Sequence, residues 1–357
     1  MALYQLPDGT EITTHSMLKC FARCPNQAKY KYHMRLKPRF ISRREQPLRR
    51  GSWFHKLLEE YYGGKGWTTA HAELTSAYED LMDEEKDNLG NLPGEMSALM
   101  TSYLWHYGVD KTKPFHGWEV LGTEQTLECP WPDGKGIYRM RLDLLVRGEF
   151  GEVCIVDHKT HKQLPHTDFR VMDKASALYL WCAQENGLPV EKFIWNYIKA
   201  KAPSKPKLLK SGDRLSSAAC DTDYPTYVSA IKEYGLNWRD YAPKLRELKS
   251  QRWDPEGGIQ SSSFFSRQSL NKDPNLIARV VAEAMKTRDR MHNYDFTVSE
   301  CTLDRGCEYA CSFLNLCTTE TLASNESPEY QNLLRQRYKV ADPLEYYQDK
   351  KEAEEGI

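Results

Sequence analysis

The sequence predicts a mixed fold of helices and strands, either α/β or α+β, built around a mixed β-sheet. Apolar residues at helical spacing run through most of the first 110 residues. Three segments between residues 120 and 160 then show strand-like spacing with turn residues between them, and a helix and a further strand follow. This order of elements excludes an all-α and an all-β protein.

The N-terminal part predicts several helices. Residues 16–34 have apolar side chains at helical spacing, and Pro25 divides them into two short helices or one kinked helix. The basic segment 35–50 contains two prolines that oppose a regular helix. Residues 52–62 predict a longer helix, with Ser52 as its N-cap and a glycine pair at its end.

The rest of the chain alternates between helices, strands and loops. Residues 68–110 are mostly helical in pattern, with a break near 90–94. The later predicted elements are strands at 120–130, 138–147 and 152–160, a helix at 170–186, a strand at 193–200 and a helix at 222–248. Loops are expected at 201–213 and 254–275, and the acidic tail 342–357 is expected to be a helix or a frayed end.

Composition places the chain among ordinary globular proteins. It has 357 residues, 40% of them hydrophobic, and 49 basic against 50 acidic side chains, for a net charge of −1. These values exclude a wholly disordered or collagen-like chain, and the length predicts about two domains or one with a large insertion. No apolar run approaches the ~18 residues of a membrane helix, and the first residues lack a secretory pattern, so we expect no membrane partner and a cytoplasmic location.

The most informative segment is an acidic hairpin between residues 138 and 160. Its loop is centred on Phe150, so Asp143 and Asp157, each seven residues from that centre, become cross-strand neighbours with Cβ atoms about 5 Å apart. Lys159 follows Asp157 by two residues and therefore lies on the same face. The opposite face is predicted to hold four apolar residues, namely Met140, Leu142, Leu144 and Val156.

Two neighbouring carboxylates repel each other, and a divalent cation relieves that repulsion. Hard oxygen ligands suit Mg²⁺ or Mn²⁺, and a nearby lysine can orient an attacking water or stabilise charge on a phosphate. The alternative is an ion pair on the surface of a two-faced sheet, because a one-residue slip in register would separate the charged side chains.

His55 is a second candidate metal ligand. It precedes Glu59 by four residues on the predicted helix, so both side chains lie on one side of it. Such a pair is either a metal-ligand face or a solvated polar face opposite Trp53 and Leu57.

Ten cysteines are many for a chain expected in a reducing compartment, where a disulfide framework is not expected. Two lie near the N-terminus, Cys20 and Cys24. Four lie within 17 residues near the C-terminus, namely Cys301, Cys307, Cys311 and Cys317. These clustered thiols predict an iron–sulfur cluster or a zinc site, and spacing alone leaves both open. The other four cysteines are expected to pack as small buried residues.

Together these motifs resemble the PD-(D/E)XK nuclease superfamily. Asp143, followed by Asp157-His158-Lys159, is similar to its split Asp…(Asp/Glu)-x-Lys signature. The wider order resembles the RecB-type iron–sulfur branch and its phage-encoded exonucleases, which are related to CRISPR-associated adaptation nucleases. The further matching motifs are Cys24-Pro25, Gly51-x-x-x-His55-x-x-Leu58-Glu59, Leu178-Tyr179 and the C-terminal cysteines, so the resemblance runs from about residue 16 to 317.

The resemblance implies a restriction-endonuclease-like core, with a mixed central sheet flanked by helices, a helical N-terminal part and a C-terminal cysteine cluster. The implied boundaries are 1–115 for the N-terminal helical part, 116–215 for the nuclease core, 216–320 for the helical part with the cysteines and 321–357 for the tail.

The resemblance also implies residue roles. His55, Asp143 and Asp157 would bind Mg²⁺ or Mn²⁺, with the main-chain carbonyl of His158 as a further ligand, and Lys159 would be the catalytic lysine.

Tyr179 matches the tyrosine of the family's Gln-x-x-x-Tyr motif, which contacts DNA or supports the site. Ala175 stands at the Gln position, so that polar contact is missing, and Lys174 or Gln184 remains open as a substitute.

A 4Fe-4S cluster is implied by the same resemblance, held by one N-terminal and three C-terminal cysteines, namely Cys24, Cys307, Cys311 and Cys317. The C-terminal spacing is C-x₃-C where the family has C-x₂-C. Cys301 therefore stays open as a replacement for Cys307, and Cys20 as one for Cys24. Such a cluster would join the two ends of the chain and stabilise the fold.

Two basic segments, 35–50 and 199–214, are predicted to bind DNA phosphates. Four aromatic residues near them either stack on unpaired bases or pack in the core, namely Phe40, Trp53, Trp195 and Tyr197.

The sequence therefore predicts a metal-dependent DNA nuclease, an exonuclease acting on single strands or DNA ends in phage or bacterial recombination or repair. A helicase or recombinase partner stays open, and the location would be the host cytoplasm for a phage-encoded protein. Two alternatives remain: a non-catalytic DNA-binding protein that keeps the nuclease scaffold, and a zinc-stabilised interaction protein.

Overall fold

A mixed β-sheet flanked by helices forms the centre of the molecule. The computed structural model describes residues 5, 9–108, 115, 117–163, 167–252 and 262–345. The strands in chain order are β1 (Ile12–Thr13), β2 (Leu36–Pro38), β3 (Glu119–Pro130), β4 (Ile137–Arg147), β5 (Val153–His161), β6 (Val190–Lys199), β7 (Phe265–Leu270) and β8 (Tyr338–Val340).

Six of these strands form the central sheet, in the order β1-β4-β5-β6-β7 with β3 paired to β4. β1 is parallel to β4 and β5 is parallel to β6, while the β3–β4, β4–β5 and β6–β7 pairs are antiparallel. β2 and β8 form a separate antiparallel pair that brings the two ends of the chain together. The predicted mixed α/β fold, consistent with a restriction-endonuclease-like core, is confirmed.

The α-helices of the described residues are α1 (His15–Arg23), α2 (Pro25–Ala28), α3 (Gln46–Tyr62), α4 (Trp67–Glu79), α5 (Asp83–Leu89), α6 (Leu92–Tyr107), α7 (Thr167–Val171), α8 (Lys174–Glu185), α9 (Tyr224–Glu233), α10 (Ala242–Lys249), α11 (Pro274–His292), α12 (Arg305–Ala310), α13 (Leu314–Ala323) and α14 (Pro328–Arg337). None of them is long and apolar enough to cross a bilayer.

The helix that carries His55 begins earlier than predicted. α3 starts at Gln46, so Ser52 lies inside the helix and is not its N-cap. Pro47 stands in the first turn, where the missing N–H has no helical partner to lose, and a proline is tolerated there. The predicted end after Tyr62 is confirmed, with Gly63 as the C-cap.

Other predicted elements differ in detail. The predicted helix at 170–186 is two helices, α7 and α8, because Asp173 caps a new helix by accepting from the Ser176 N–H. The helix predicted at 222–248 is likewise divided into α9 and α10. Within the predicted loop 254–275, β7 forms, and residues 254–261 lie outside the described ranges, as do residues 346–357 of the predicted tail.

Two hydrophobic cores lie on the two faces of the sheet. The first packs β-strand residues such as Leu142 and Ile155 against α1, α8 and α11. The second packs Leu144 and Val156 against α3 and α6. The prediction that Met140, Leu142, Leu144 and Val156 share one face is therefore wrong. The side chains of Leu142 and Leu144 point to opposite faces of the sheet, beside Glu124 of β3, whose backbone is irregular.

Candidate functional site

The acidic hairpin has the register expected for a loop centred on Phe150. The paired residues run from Arg147 opposite Val153 to Leu144 opposite Val156. Asp143 and Asp157 come next, where the ladder ends. There the main-chain N–H of His158 donates to Oδ2 of Asp143, at 2.7 Å. The two carboxylates therefore lie at the point where β4 and β5 separate.

α3 brings His55 to the same point. Its apolar residues Phe54, Leu57 and Leu58 are fully buried in the second core, which fixes the rotation of the helix. His55 Nδ1 lies 3.5 Å from Oδ2 of Asp143. Burial lowers the pKa of His55, but the charge of Asp143 outweighs it, so the pKa is raised overall. The pKa of Asp143 is held below its usual range, because His55 and Lys159 outweigh burial of the carboxyl.

Glu124 completes this group, and the sequence analysis did not single it out. Its neighbours Thr123 and Gln125 pair with Leu144 and Leu142, which places Glu124 opposite Asp143. Ligand atoms of Glu124, Asp143 and His55 all lie within 4.8 Å of one another. A pairing centred on the predicted turn at Asp133-Gly134 would have found it, because positions 124 and 143 are equidistant from that centre.

The backbone at Glu124 is strained. Its φ of +50° is unusual for a residue with a side chain, and such strain persists only where its surroundings impose it. Arg141 Nε donates to Glu124 Oε2 at 2.8 Å, and only 8% of the Glu124 side chain is exposed. The break in strand alternation at Glu124 accompanies the change of face in β4.

Asp157 and Lys159 form the other half of the site. Lys159 Nζ lies 2.8 Å from Oδ1 and 2.7 Å from Oδ2 of Asp157. The aspartate is buried, and 43% of the lysine side chain is exposed. Burial raises the pKa of Asp157 to about 6; Asp143 adds to the shift and Lys159 opposes it. Burial disfavours the ammonium of Lys159, but Asp157 and Asp143 outweigh it and raise its pKa.

The donor set suits a hard divalent cation. Oδ2 of Asp157 is buried and makes no hydrogen bond among the described residues, although the Lys159 ammonium is close. Carboxylate oxygens of Asp143 and Glu124 and a His55 nitrogen lie within 4.8 Å of one another, in a group that does not include an Asp157 oxygen. Such a mainly oxygen set is what Mg²⁺ or Mn²⁺ prefers. Glu59, considered with His55 at the sequence level, instead pairs with Lys56 at 2.8 Å.

His158 places its ring edge-on to the His55 ring, with centroids 5.8 Å apart. Its ring stacks on Tyr62, with centroids 5.8 Å apart, and its Nδ1 lies 2.8 Å from Asn196 Nδ2. Burial lowers the pKa of His158 to about 3, so the ring is neutral near pH 7. The His158 ring therefore packs beside the site, and its main-chain N–H bonds Asp143.

Tyr179 on α8 is half-buried and packs edge-on against Phe193 in the first core. The two substitutes considered for the missing Gln are engaged elsewhere. Lys174 pairs with Glu283 of α11 at 2.8 Å, and Gln184 donates to the carbonyl of Val190 at 3.3 Å. Their role as substitutes for the Gln stays a prediction.

Five cysteines line one cavity between the two ends of the chain. They are Cys24, Cys301, Cys307, Cys311 and Cys317, and the space between the lining residues is about 320 Å³ including the part open to solvent. Cys24 precedes α2, and the other four lie on or beside α12 and α13. Burial raises the pKa of Cys311, and it raises that of Cys317 to about 11. Cys20 is not among the described residues that line the cavity.

The remaining cysteines are scattered, as the sequence suggested. Cys129, Cys154 and Cys182 are buried in the cores, which confirms their expected packing role, and Cys220 is half-buried.

Acidic side chains neutralise part of the positive charge of the two basic segments. Arg50 pairs with Glu95, Lys199 with Asp221 and Lys205 with Glu233. Within the described ranges, four exposed cations of the second segment form no ion pair, namely Lys201, Lys207, Lys210 and Arg214. Trp53, Trp195 and Tyr197 are buried and pack in the cores, so of the four aromatic candidates only Phe40 is exposed.

This fold, with an Asp and an Asp-x-Lys on adjacent strands, is typical of restriction-endonuclease-like enzymes. The model of the PD-(D/E)XK nuclease superfamily matches residues 13–318. The chain therefore belongs to that superfamily, and membership indicates a metal-dependent nuclease that binds DNA. No curated protein matches the chain. A solved structure described as "Crystal structure of SSO0001" is similar at 13% identity over 85% of this chain and 83% of that chain, with a TM-score of 0.32, too low to carry an argument.

Proposed function

We propose that the protein is a metal-dependent deoxyribonuclease whose active site is formed by His55, Glu124, Asp143, Asp157 and Lys159. The observation that carries this proposal is the convergence of β3, β4, β5 and α3 on one point. There, Glu124, Asp143 and His55 place ligand atoms within 4.8 Å of one another, beside the Asp157–Lys159 pair.

The residues of the site have distinct roles in this proposal. His55, Glu124, Asp143 and Asp157 would hold Mg²⁺ or Mn²⁺, with the His158 carbonyl as a further ligand. When bound, such a cation lowers the pKa of a coordinated water and stabilises charge on the scissile phosphate. Tyr179 would support the site from α8 or contact the DNA strand.

Lys159 has the chemistry of the catalytic lysine. Its ammonium is protonated near neutral pH, because Asp157 and Asp143 raise its pKa. Its partly exposed side chain lets Nζ donate hydrogen bonds to a phosphate oxygen while Asp157 limits its motion. The ammonium would thus stabilise the negative charge that grows on the phosphate during the reaction.

Exonuclease action on single strands or DNA ends, in phage or bacterial recombination or repair, is part of the proposal. Four cations between residues 201 and 214 form no ion pair with the described residues, which supports a path for a DNA backbone there. A helicase or recombinase would supply the ends, and the reaction would take place in the cytoplasm.

The test uses linear single-stranded and duplex DNA, labelled at either end, with and without Mn²⁺. We expect end-dependent cleavage that needs the metal, and its loss in Asp143→Ala and Lys159→Ala. Lys244→Ala is the matched control, because Lys244 forms an exposed ion pair with Glu247 on α10. Wild-type protein that cleaves no DNA, or variants that cleave as wild type does, would overturn the assignment.

We further propose that the cysteine cavity holds a 4Fe-4S cluster, bound by Cys24, Cys307, Cys311 and Cys317. The support is the grouping of thiols from both chain ends around one space. Cys301 lines the same space and remains the alternative to Cys307. Cys24 lines this space and Cys20 does not, so Cys20 is the weaker candidate for the N-terminal ligand.

Protein purified without oxygen should contain iron and sulfide in equal amounts and show visible absorbance that bleaches on reduction. Replacing each of the five lining cysteines by serine, one at a time, should remove the cluster in four cases. The fifth variant should keep it, as should Cys20→Ser. Stoichiometric zinc instead of iron would favour a zinc-stabilised site, and protein with neither metal would contradict both.

A second candidate, a DNA-binding protein without catalysis, is favoured by one observation. Ala175 stands at the Gln position, and Lys174 and Gln184 both contact other residues. The cleavage assay separates the two candidates, since this one predicts binding without metal-dependent cleavage.

A further inference from the structure

A buried arginine lies behind the proposed metal site. Arg267 of β7 is 4% exposed and reaches across the second core. Its guanidinium lies over the rings of Tyr107 and Phe115, 3.6 and 3.9 Å from their centroids. Its hydrogen-bond partners are neutral, namely Tyr62, Tyr103 and Asn196. Among the described residues, no carboxylate pairs with this cation.

A buried cation without a carboxylate partner is costly to the fold. Aromatic rings and hydroxyl groups recover only part of that cost. An apolar residue at this position would fill the core with less penalty. The hydrogen bonds of Arg267 therefore indicate a role other than filling the core.

Arg267 fixes the orientation of one amide. Its Nε donates to Oδ1 of Asn196 at 3.3 Å. The Asn196 amide nitrogen therefore points the other way, where it donates to Tyr103 Oη at 2.9 Å and to His158 Nδ1 at 2.8 Å. Because Nδ1 of His158 accepts this bond, the neutral ring carries its proton on Nε2.

The same network reaches two proposed metal ligands. The main-chain N–H of His158 donates to Oδ2 of Asp143 at 2.7 Å. Tyr62, which accepts from Arg267 at 3.0 Å, stacks on the His158 ring and belongs to α3, the helix that carries His55. β4, β5 and α3 are thus linked through one buried guanidinium.

We propose that Arg267 and Asn196 are positioning residues of the metal site. They hold the His158 ring and main chain, and through them the Asp143 carboxylate and α3, in the arrangement that binds the cation. This inference rests on the proposed function. Partners that orient metal ligands in this way typically contribute 10–100-fold to metal affinity or activity.

The test measures Mn²⁺ affinity, from the electron paramagnetic resonance of the free ion, together with kcat and KM for DNA. Arg267→Met and the milder Tyr103→Phe should weaken Mn²⁺ binding, about 10–100-fold for Arg267→Met and less for Tyr103→Phe. We expect kcat at fixed Mn²⁺ to fall while KM for DNA changes little, because Arg267 and Asn196 are buried and cannot contact DNA directly.

Arg288→Met is the matched control. Arg288 is also buried, at 2% exposed, but it pairs with Asp133 and Asp289 far along the sheet from the metal site. It should destabilise the fold and leave Mn²⁺ affinity within twofold of wild type. Unchanged affinity in both Arg267→Met and Tyr103→Phe, or an equal loss in Arg288→Met, would overturn the proposal.

A second measurement does not depend on how well the arginine variants fold. In ¹⁵N spectra of histidine-labelled wild-type protein, Nδ1 of His158 should be the unprotonated nitrogen. Asn196→Asp places a carboxylate oxygen opposite it and gives Arg267 an ionic partner, so the fold should persist and the proton should move to Nδ1. A His158 signal that is the same in both proteins would refute the network.

The outcomes also separate this inference from the proposed function. If wild-type protein binds Mn²⁺ but cleaves no DNA, and Arg267→Met binds it more weakly, the inference stands and the function fails. If wild-type protein cleaves DNA and Arg267→Met binds Mn²⁺ normally, the function stands and the inference fails. Wild-type protein that binds no Mn²⁺ overturns both.

Discussion

A buried ion pair next to the cysteine cavity gives a quantitative test of how the two ends of the chain are joined. Lys29 Nζ lies 2.5 Å from Oε1 of Glu320, and the two side chains are 7% and 5% exposed. Tyr30 donates to the other carboxylate oxygen of Glu320. Glu320 stands one helical turn after Cys317 on α13, so the pair adjoins the cavity.

Glu320→Gln keeps the size of the side chain and the acceptor for Tyr30 but leaves the Lys29 ammonium buried without a counter-charge. Removing one partner of a buried pair typically costs about 3–5 kcal/mol. The entropy of unfolding is roughly 2.1 cal/mol/K per residue, which for 357 residues gives a Tm lower by about 4–7 °C if the chain unfolds as one unit.

The assay is urea unfolding of wild type, Glu320→Gln, Lys29→Met and the double variant Lys29→Met/Glu320→Leu. The double variant should recover most of the loss, because it removes both charges together. Glu233→Gln is the control, since its partner Lys205 is exposed, and its effect should stay below about 1 kcal/mol. A loss in Glu320→Gln no larger than that of the control would refute the reasoning.

Three further predictions concern the metal site, acid stability and DNA binding. Glu124→Gln removes one anionic ligand and should lower Mn²⁺ affinity by about tenfold or more in calorimetric titration; unchanged affinity would remove Glu124 from the site. Burial first, and then the charge of Arg267, lower the pKa of His106 from 6.5 to about 4. The unfolded chain therefore binds a proton that the folded one does not, so stability should fall as pH drops from 6.5 to 4. The slope per such group is at most about 1.4 kcal/mol per pH unit, and His106→Gln should reduce it in urea titrations at several pH values. Lys207→Ala/Lys210→Ala should reduce the slope of log affinity for DNA against log salt by about 1.4–1.8, and an unchanged slope would place the DNA elsewhere.

The acidic hairpin was predictable because a short connection fixes the register by symmetry about its centre. The same symmetry about the turn at Asp133-Gly134 places Glu124 opposite Asp143. The strand pattern alone, however, gave no reason to pair the segments on the two sides of that turn. What the sequence could not indicate was the φ of +50° at Glu124 in β3, which accompanies the change of face in β4. A rule of strict alternation therefore assigned Leu142 and Leu144 to one core, where the structure assigns them to two.

The start of α3 and the network behind the site were missed for different physical reasons. A proline such as Pro47 usually ends a helix, but in the first turn it removes no helical hydrogen bond. Its effect therefore depends on where the helix starts, and the start is what the sequence rule was meant to predict. Arg267, Asn196 and His158 lie on three strands, far apart in sequence. The three residues meet because of the order of the strands in the sheet. That order depends on the whole chain, so no local sequence pattern indicates the contact.

The pairing of β2 with β8 and the shared cavity of Cys24 with Cys317 have a consequence for biosynthesis. These contacts join segments about 300 residues apart, so they close only after residues up to about 340 have left the ribosome. During synthesis, Cys24 therefore lacks the other cysteines of the cavity while the central sheet forms. Delivery of a metal cofactor to this cavity would therefore be among the last steps of maturation, and chains that terminate early would have no means of retaining it.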